Sequence, residues 1–169
     1  MRYVPKPARG AWHEKAMAAS EKGELYSVIG LWLGAKEIGR LAEKLDAASN
    51  KQLESLSHSV TEPAAERLAR THPGVAAKVF RAMGVRIIDA GKSKYYDAAL
   101  SNFQKARTCY RKAGLDAQWN ALAAEIREKH RRKTGFMPGF EKLVAGAGPD
   151  REPSFLDRAR KRWEKQGRE

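Results

Sequence analysis

What the chain lacks narrows its class first. It holds one cysteine, Cys109, so no disulfide can form within it and a structural zinc site built on paired cysteines is excluded. Its longest apolar stretch, Val28 to Ala35, contains two glycines and falls far short of the roughly 20 residues that cross a bilayer. The opening residues, Met1 to Pro7, carry neither the apolar stretch nor the small-residue cleavage site of an export signal. A cytoplasmic location is therefore expected. Strands are not expected either, since no segment alternates apolar and polar residues convincingly.

Chemistry is also sparse. The densest glycine group, Gly146 and Gly148, is followed by Pro149, not by the Lys-Ser/Thr pair that completes a phosphate loop at a helix start. None of His13, His58, His72 and His130 stands four residues from another histidine or close to the cysteine, so no helical metal pair is predicted. Glu125 and Glu128 lie beside Lys129 and Arg132, which reads as a salt-bridged surface rather than an acid–base pair. Cys109 sits next to Tyr110 on an apolar helix face with no charge partner and reads as a half-buried structural thiol. No catalytic residue, cofactor or metal ligand is predicted, and the chain is read as a non-enzyme.

What is present in excess is positive charge. Lys and Arg outnumber Asp and Glu by 33 to 20, and the surplus is uneven. Residues 1–72 hold 11 basic against 9 acidic side chains, residues 73–119 hold 9 against 3, and residues 120–169 hold 13 against 8. A surplus concentrated in the last two-thirds favours an acidic partner, either a protein face or nucleic acid. A solvated basic surface that keeps the protein soluble explains the same counts, and both readings stay open.

Helical periodicity recurs along almost the whole chain. An extended arm is expected over 1–10, a helical-repeat domain over 11–145, a flexible Gly/Pro linker over 146–153 and a basic amphipathic helix over 154–169. The first helix should start at Ala11 with Trp12, Ala16 and Ala19 along its packed side. The next segment, Leu25 to Leu33, is apolar nearly all round and should be buried, with Gly34 supplying the turn. Ile38, Leu41, Ala42 and Leu45 then repeat as one face. Asn50 and Thr61 are candidate caps for two further helices, Thr61 because Pro63 would then fall in a first turn. Phe140, Leu143 and Val144 suggest a short docking turn near the end of the domain.

The clearest unit follows His72-Pro73-Gly74. Ala76, Val79, Phe80, Met83, Gly84, Ile87 and Ala90 line one side of a helix, with Lys78, Arg81 and Asp89 pointing away. After a connection at Gly91, Tyr96, Ala99, Phe103, Ala106, Tyr110 and Ala113 recur at steps of three and four, a seam that packs one helix on its neighbours. Gly114 closes that helix. Asp116 opens another, with Trp119, Leu122, Ala123 and Ile126 inward and a basic run at its end.

Two resemblances attach to these residues. The large-to-small order Phe80, Met83, Gly84, Ile87, followed by Ala99, Phe103 and Ala106, resembles a tetratricopeptide-like (TPR-like) helical hairpin with about three extra residues in its connection. It implies an all-α fold of antiparallel hairpins stacked as a TPR-like superhelix. The stretch from Lys94 to Gly114, then Trp119 and the ending Ile126 to Lys133, resembles the C-terminal helical region of bacterial SWIM zinc-finger proteins, over about residues 62–145. The zinc-binding cysteines of that family are missing. The resemblance thus implies a helical companion domain, working beside a zinc-finger polypeptide, without a metal of its own.

The functional expectations follow from architecture and charge. Stacked hairpins offer an extended protein-binding surface, and Tyr95, Arg107, Arg111 and Lys112 are candidates to line it. The alternative is a nucleic-acid-binding accessory in which Arg127, His130, Arg131, Arg132, Lys133, Arg158, Arg160, Lys161 and Arg162 neutralise phosphates, with His130 at an exposed helix end. Trp163 among the last of these could stack on an unpaired base or dock Phe155 and itself on the body.

Overall fold

The structure, a computed structural model, describes residues 9–146. Residues 1–8 of the expected 1–10 arm, residues 147–153 of the expected linker and the whole 154–169 helix lie outside the described residues, while Arg9 and Gly10 belong to the first helix and not to an extended arm. Among those described, all regular structure is helical, and no helix is long and apolar enough to cross a membrane. The helices are α1 (Arg9–Ser20), α2 (Leu25–Ala35), α3 (Ile38–Ala47), α4 (Asn50–Ser55), α5 (His58–Leu68), α6 (Pro73–Asp89), α7 (Tyr96–Lys112), α8 (Asp116–His130) and α9 (Met137–Ala145).

α6 is the central element. It packs against α3, α4, α5 and, most extensively, α7, while α8 and α9 pack on α7 and on each other. Its burial is broader than one face. Ala77, Arg81, Ala82 and Val85 are as enclosed as the expected Ala76, Val79, Phe80 and Met83. Arg81 does not point away from the body but lies inside it. Ile87 and Ala90, expected inward, are half-buried and exposed respectively.

The α6–α7 contact depends on a missing side chain. A Cβ on Gly84 would stand 2.8 Å from Cζ of Phe103, inside the contact limit. The hydrogen at that position lets the ring of a fully buried Phe103 lie directly on the α6 backbone. Phe103 in turn meets Phe140 edge-on at 5.4 Å and Phe136 at 6.0 Å. Tyr96 and Trp119 extend this aromatic cluster from α7 and α8. Phe136 and Phe140 are fully buried, so the expected docking turn is a formed nine-residue helix, α9, with Phe136 just before it.

Several local expectations change. α1 begins at Arg9 and turns Met17 inward, leaving Trp12, Ala16 and Ala19 exposed. The polar anchors explain the rotation. Ser20 Oγ accepts a 2.7 Å bond from the buried Trp32 indole and donates to the Met17 carbonyl, and His13 meets Glu37 at 2.7 Å. Arg40 on α3 reaches Glu14 of α1 and Glu21 just after it. α2 is buried along Val28, Ile29 and Trp32, whereas Tyr26 and Leu31 face solvent. Its turn uses Lys36, not Gly34, in the left-handed region at φ 64°. The last carbonyls of α2, on Leu33 and Trp32, are met by the Lys36 and Glu37 amides.

Ser49, not Asn50, caps α4, in a reciprocal capping box with Gln52. α5 is capped by Ser57, one turn before the expected Thr61, so Pro63 lies inside the helix. Starting early buries the Thr61 methyl while its hydroxyl donates to the Ser57 carbonyl. The bond that Pro63 cannot make falls on the carbonyl of exposed Ser59, where water can serve it. Gly91 and Gly114 both take the left-handed conformation, at φ 69°, Gly91 in the expected connection and Gly114 where α7 was expected to close. The extra length between α6 and α7 is a 3-10 turn, Ser93–Tyr95.

Candidate functional site

The four residues expected to line a protein-binding face do not come together. Tyr95 ends the 3-10 turn, 47% exposed, with Lys94 Nζ 4.9 Å from its ring centre. Arg111 and Lys112 are exposed in the last turn of α7, about 24 Å along the helix axis from Tyr95. Arg107 is committed inside the fold. Its Nη1 donates to the Leu143 carbonyl at 2.6 Å, and its guanidinium wraps the left-handed Gly146 that ends α9. It satisfies a carbonyl the helix end leaves open, and it is removed from the binding set.

The basic set divides in the same way. Arg127 forms a two-pronged pair with Glu141, Nε to Oε1 at 2.8 Å and Nη2 to Oε2 at 2.6 Å, tying α8 to α9. That pair holds the Glu141 carboxyl below its usual range and raises the guanidinium. Arg131 and Arg132 are exposed and Lys133 half-buried. Arg158, Arg160, Lys161 and Arg162 lie outside the described residues. Folding adds what sequence spacing hides. Lys133 Nζ would stand 3.8 Å from a Cβ on Gly91, so the end of α8 meets the α6–α7 connection with Lys92 and Lys94. One end of the molecule thus collects Arg131, Arg132, Lys133, Lys92 and Lys94 near Tyr95, with Asp89 beside them pairing Lys129 at 3.0 Å.

His130 is not an exposed phosphate contact. It is 4% exposed, and its Nε2 lies 3.2 Å from Asp89 Oδ1 without the alignment of a hydrogen bond. Burial pushes its imidazole below the ordinary histidine value, and Lys129 and Lys133 push the same way, against the pull of Asp89 and Glu125. The unfolded chain therefore takes up a proton at a higher pH than the folded one. Stability is undiminished above the ordinary histidine value and falls as pH drops below it toward the lowered native value. Thermal melts of His130→Gln should show a smaller drop in Tm between about pH 7 and about pH 5 than the parent chain. Parallel slopes in the two proteins would contradict this assignment.

Two grooves flank α6, and neither was apparent from spacing. The first, about 640 Å³, lies between the α3–α4 corner and α8, over Lys78, Arg81 and Tyr110. Arg81 spans it as a strut, Nη1 to Glu54 of α4 at 3.1 Å and Nη2 to Glu125 of α8 at 3.3 Å. Glu125 is thus ion-paired as expected, but across helices to Arg81, while Lys129 pairs with Asp89 of α6 and not along its own helix. The second groove, about 520 Å³, runs between α5 and α7 with α6 as its floor. Met83 and Ile87 form its apolar base, Ala98 and Tyr95 one wall, and Lys105 and Glu62 face each other at 3.5 Å. Residues 43 apart in sequence make that rim, so no local pattern could signal it.

Other chemistry is thin among the described residues. No group of three or more His, Cys, Asp and Glu side chains is placed to hold a metal ion. Cys109 is buried, which raises its thiol above the ordinary value despite nearby Lys112, the condition of an unreactive structural cysteine. Comparison with known proteins finds no matching family model, no matching curated protein and no matching solved structure.

Proposed function

We propose that the chain is a non-enzymatic, cytoplasmic helical-repeat scaffold that binds another protein, with its hairpins arranged in the manner of a TPR-like superhelix. The observation that carries this reading is the groove on α6, with buried Met83 and half-buried Ile87 as its apolar floor between α5 and α7. Open apolar surface set in a polar rim is a common feature of protein-recognition sites. The likeness of the α7–α8 stretch to the SWIM-associated helical region supports a zinc-finger polypeptide as one candidate partner. The commitment of Arg81, Arg107 and Arg127 to internal contacts weighs against a continuous phosphate-binding face.

A second reading, a nucleic-acid accessory, draws on the basic end that gathers Arg131, Arg132, Lys133, Lys92 and Lys94. Affinity capture from native extract, repeated with and without nuclease, separates the two. A specific protein retained through nuclease treatment is expected. Loss of every protein, combined with tight RNA or DNA binding at physiological salt that Arg131→Glu with Arg132→Glu abolishes, would replace the first reading with the second.

A further inference from the structure

The groove between α5 and α7 holds a polar group that the fold does not use. Asn102 on α7 is 7% exposed and lines the groove, yet its side-chain amide makes no hydrogen bond among the described residues. Among the described residues the fully enclosed side-chain polar atoms without a partner are Gln104 Oε1 and His130 Nε2, so the Asn102 amide is reached by solvent through the groove and is open to an incoming group. An asparagine amide can donate and accept at once, which matches the N–H and C=O of a peptide backbone.

The surroundings define what such a peptide would carry. Below Asn102 lie Met83, 7% exposed, and half-buried Ile87, an apolar seat for one aliphatic side chain. Toward the α6–α7 connection the rim is cationic. Lys92 is exposed and forms no ion pair among the described residues, and Arg86 spends Nη1 on the Leu56 carbonyl at 2.5 Å. At the other end Lys105 is outnumbered by Glu62 and Glu66. The groove is therefore polarised, acidic at one end and positive at the other.

We propose that this groove binds an extended peptide segment in which an aliphatic side chain carries carboxylates on one side of it only. The aliphatic group sits on Met83 and Ile87, the backbone pairs with Asn102, and the carboxylates face Arg86 and Lys92. This rests on the protein-binding reading above and specifies the partner's chemistry. A nucleic acid fits less well, since phosphates would gain little from the apolar floor and the Glu62 side of the rim would repel them. A second copy of this chain, at +13, is disfavoured by like charge.

The test uses the full chain, isotope-labelled, titrated with three blocked hexapeptides: Ser-Ser-Leu-Leu-Asp-Glu, Ser-Ser-Ser-Ser-Asp-Glu and Ser-Ser-Leu-Leu-Lys-Lys. The first should shift the Asn102 side-chain amide and the Met83, Ile87 and Ala98 signals, and bind at least about fivefold more tightly than the others. Ala98→Trp fills the groove from an exposed position, and Lys92→Glu reverses an exposed rim charge. Each should weaken binding, the first by about tenfold or more, with melting temperature unchanged. Asn102→Ala should also weaken it by about tenfold, the loss of two backbone hydrogen bonds.

Equal binding of the three peptides, undiminished binding by Ala98→Trp, or an equal loss from Arg111→Glu, exposed at the far end of α7, would overturn the proposal. So would a uridine dodecamer that shifts the same groove signals more strongly than any peptide. If Ala98→Trp captures the same proteins from extract as the parent chain, the groove assignment fails while the protein-binding reading stands. Capture of no protein by either overturns both.

Discussion

Phe103→Ala is expected to lower the unfolding free energy by about 3–5 kcal/mol, the range for removing a fully buried aromatic ring. The ring touches three elements at once: the α6 backbone at Gly84, Phe136 before α9 and Phe140 within it. The hole left behind cannot collapse cheaply, because its walls are other fully buried rings and a helix backbone. Urea unfolding followed by circular dichroism should show the midpoint shifted with the slope unchanged. The melting temperature should drop by roughly 10 °C or more. A cost below about 1 kcal/mol would mean that Phe103 does not occupy the centre of the core.

Gly84→Ala tests the same contact from the other side, and here two effects oppose. Alanine favours a helix interior over glycine by about 1 kcal/mol. Its methyl, however, would be driven to 2.8–3.0 Å from three atoms of the Phe103 ring, and forced overpacking costs about 1–3 kcal/mol. Overpacking should win, since Phe136 and Phe140 block the ring's retreat. The net expectation is destabilisation, not the gain a surface helix position would give. Leucine at 103 is smaller, so Gly84→Ala should cost less in a Phe103→Leu background than alone. A double-mutant cycle with no coupling would contradict direct contact between the two positions.

Both residues stood out in the sequence, though for an incomplete reason. A glycine on the packed side of one helix and an aromatic flanked by alanines on the next pointed to close approach, and the structure places them in contact. The seam from Tyr96 to Ala113 and the inward set of α8 were equally legible, because strong 3.6-residue periodicity reports burial directly. The choice of face failed where several faces were apolar. On α1, Trp12 and two alanines competed with Met17, and the decision came from hydrogen bonds to Trp32 and Glu37, over 10 residues away. On α6, a seven-residue apolar stripe concealed that the helix is enclosed by four others.

Charged residues were the least legible, because a charge in the sequence does not say whether it is spent. Arg81, Arg107 and Arg127 read as surface cations. In the fold they are a cross-groove strut, a helix-end cap and an α8–α9 tie. His130 read as exposed and is buried against Asp89. Each depends on a partner 14 to 44 residues distant, and neither composition nor period carries that information.

By itself the sequence determined the helical class, the α6–α7 hairpin with its small-residue contact and the helix stop at Gly114, since these follow from period, side-chain volume and backbone freedom at neighbouring positions. The tertiary structure alone decided which arginines remain available, where the basic side chains gather and that a groove stays open over Met83 beside an unused Asn102. Those features are made by side chains from three or more helices meeting in space, and only the packing of the helices sets which ones meet.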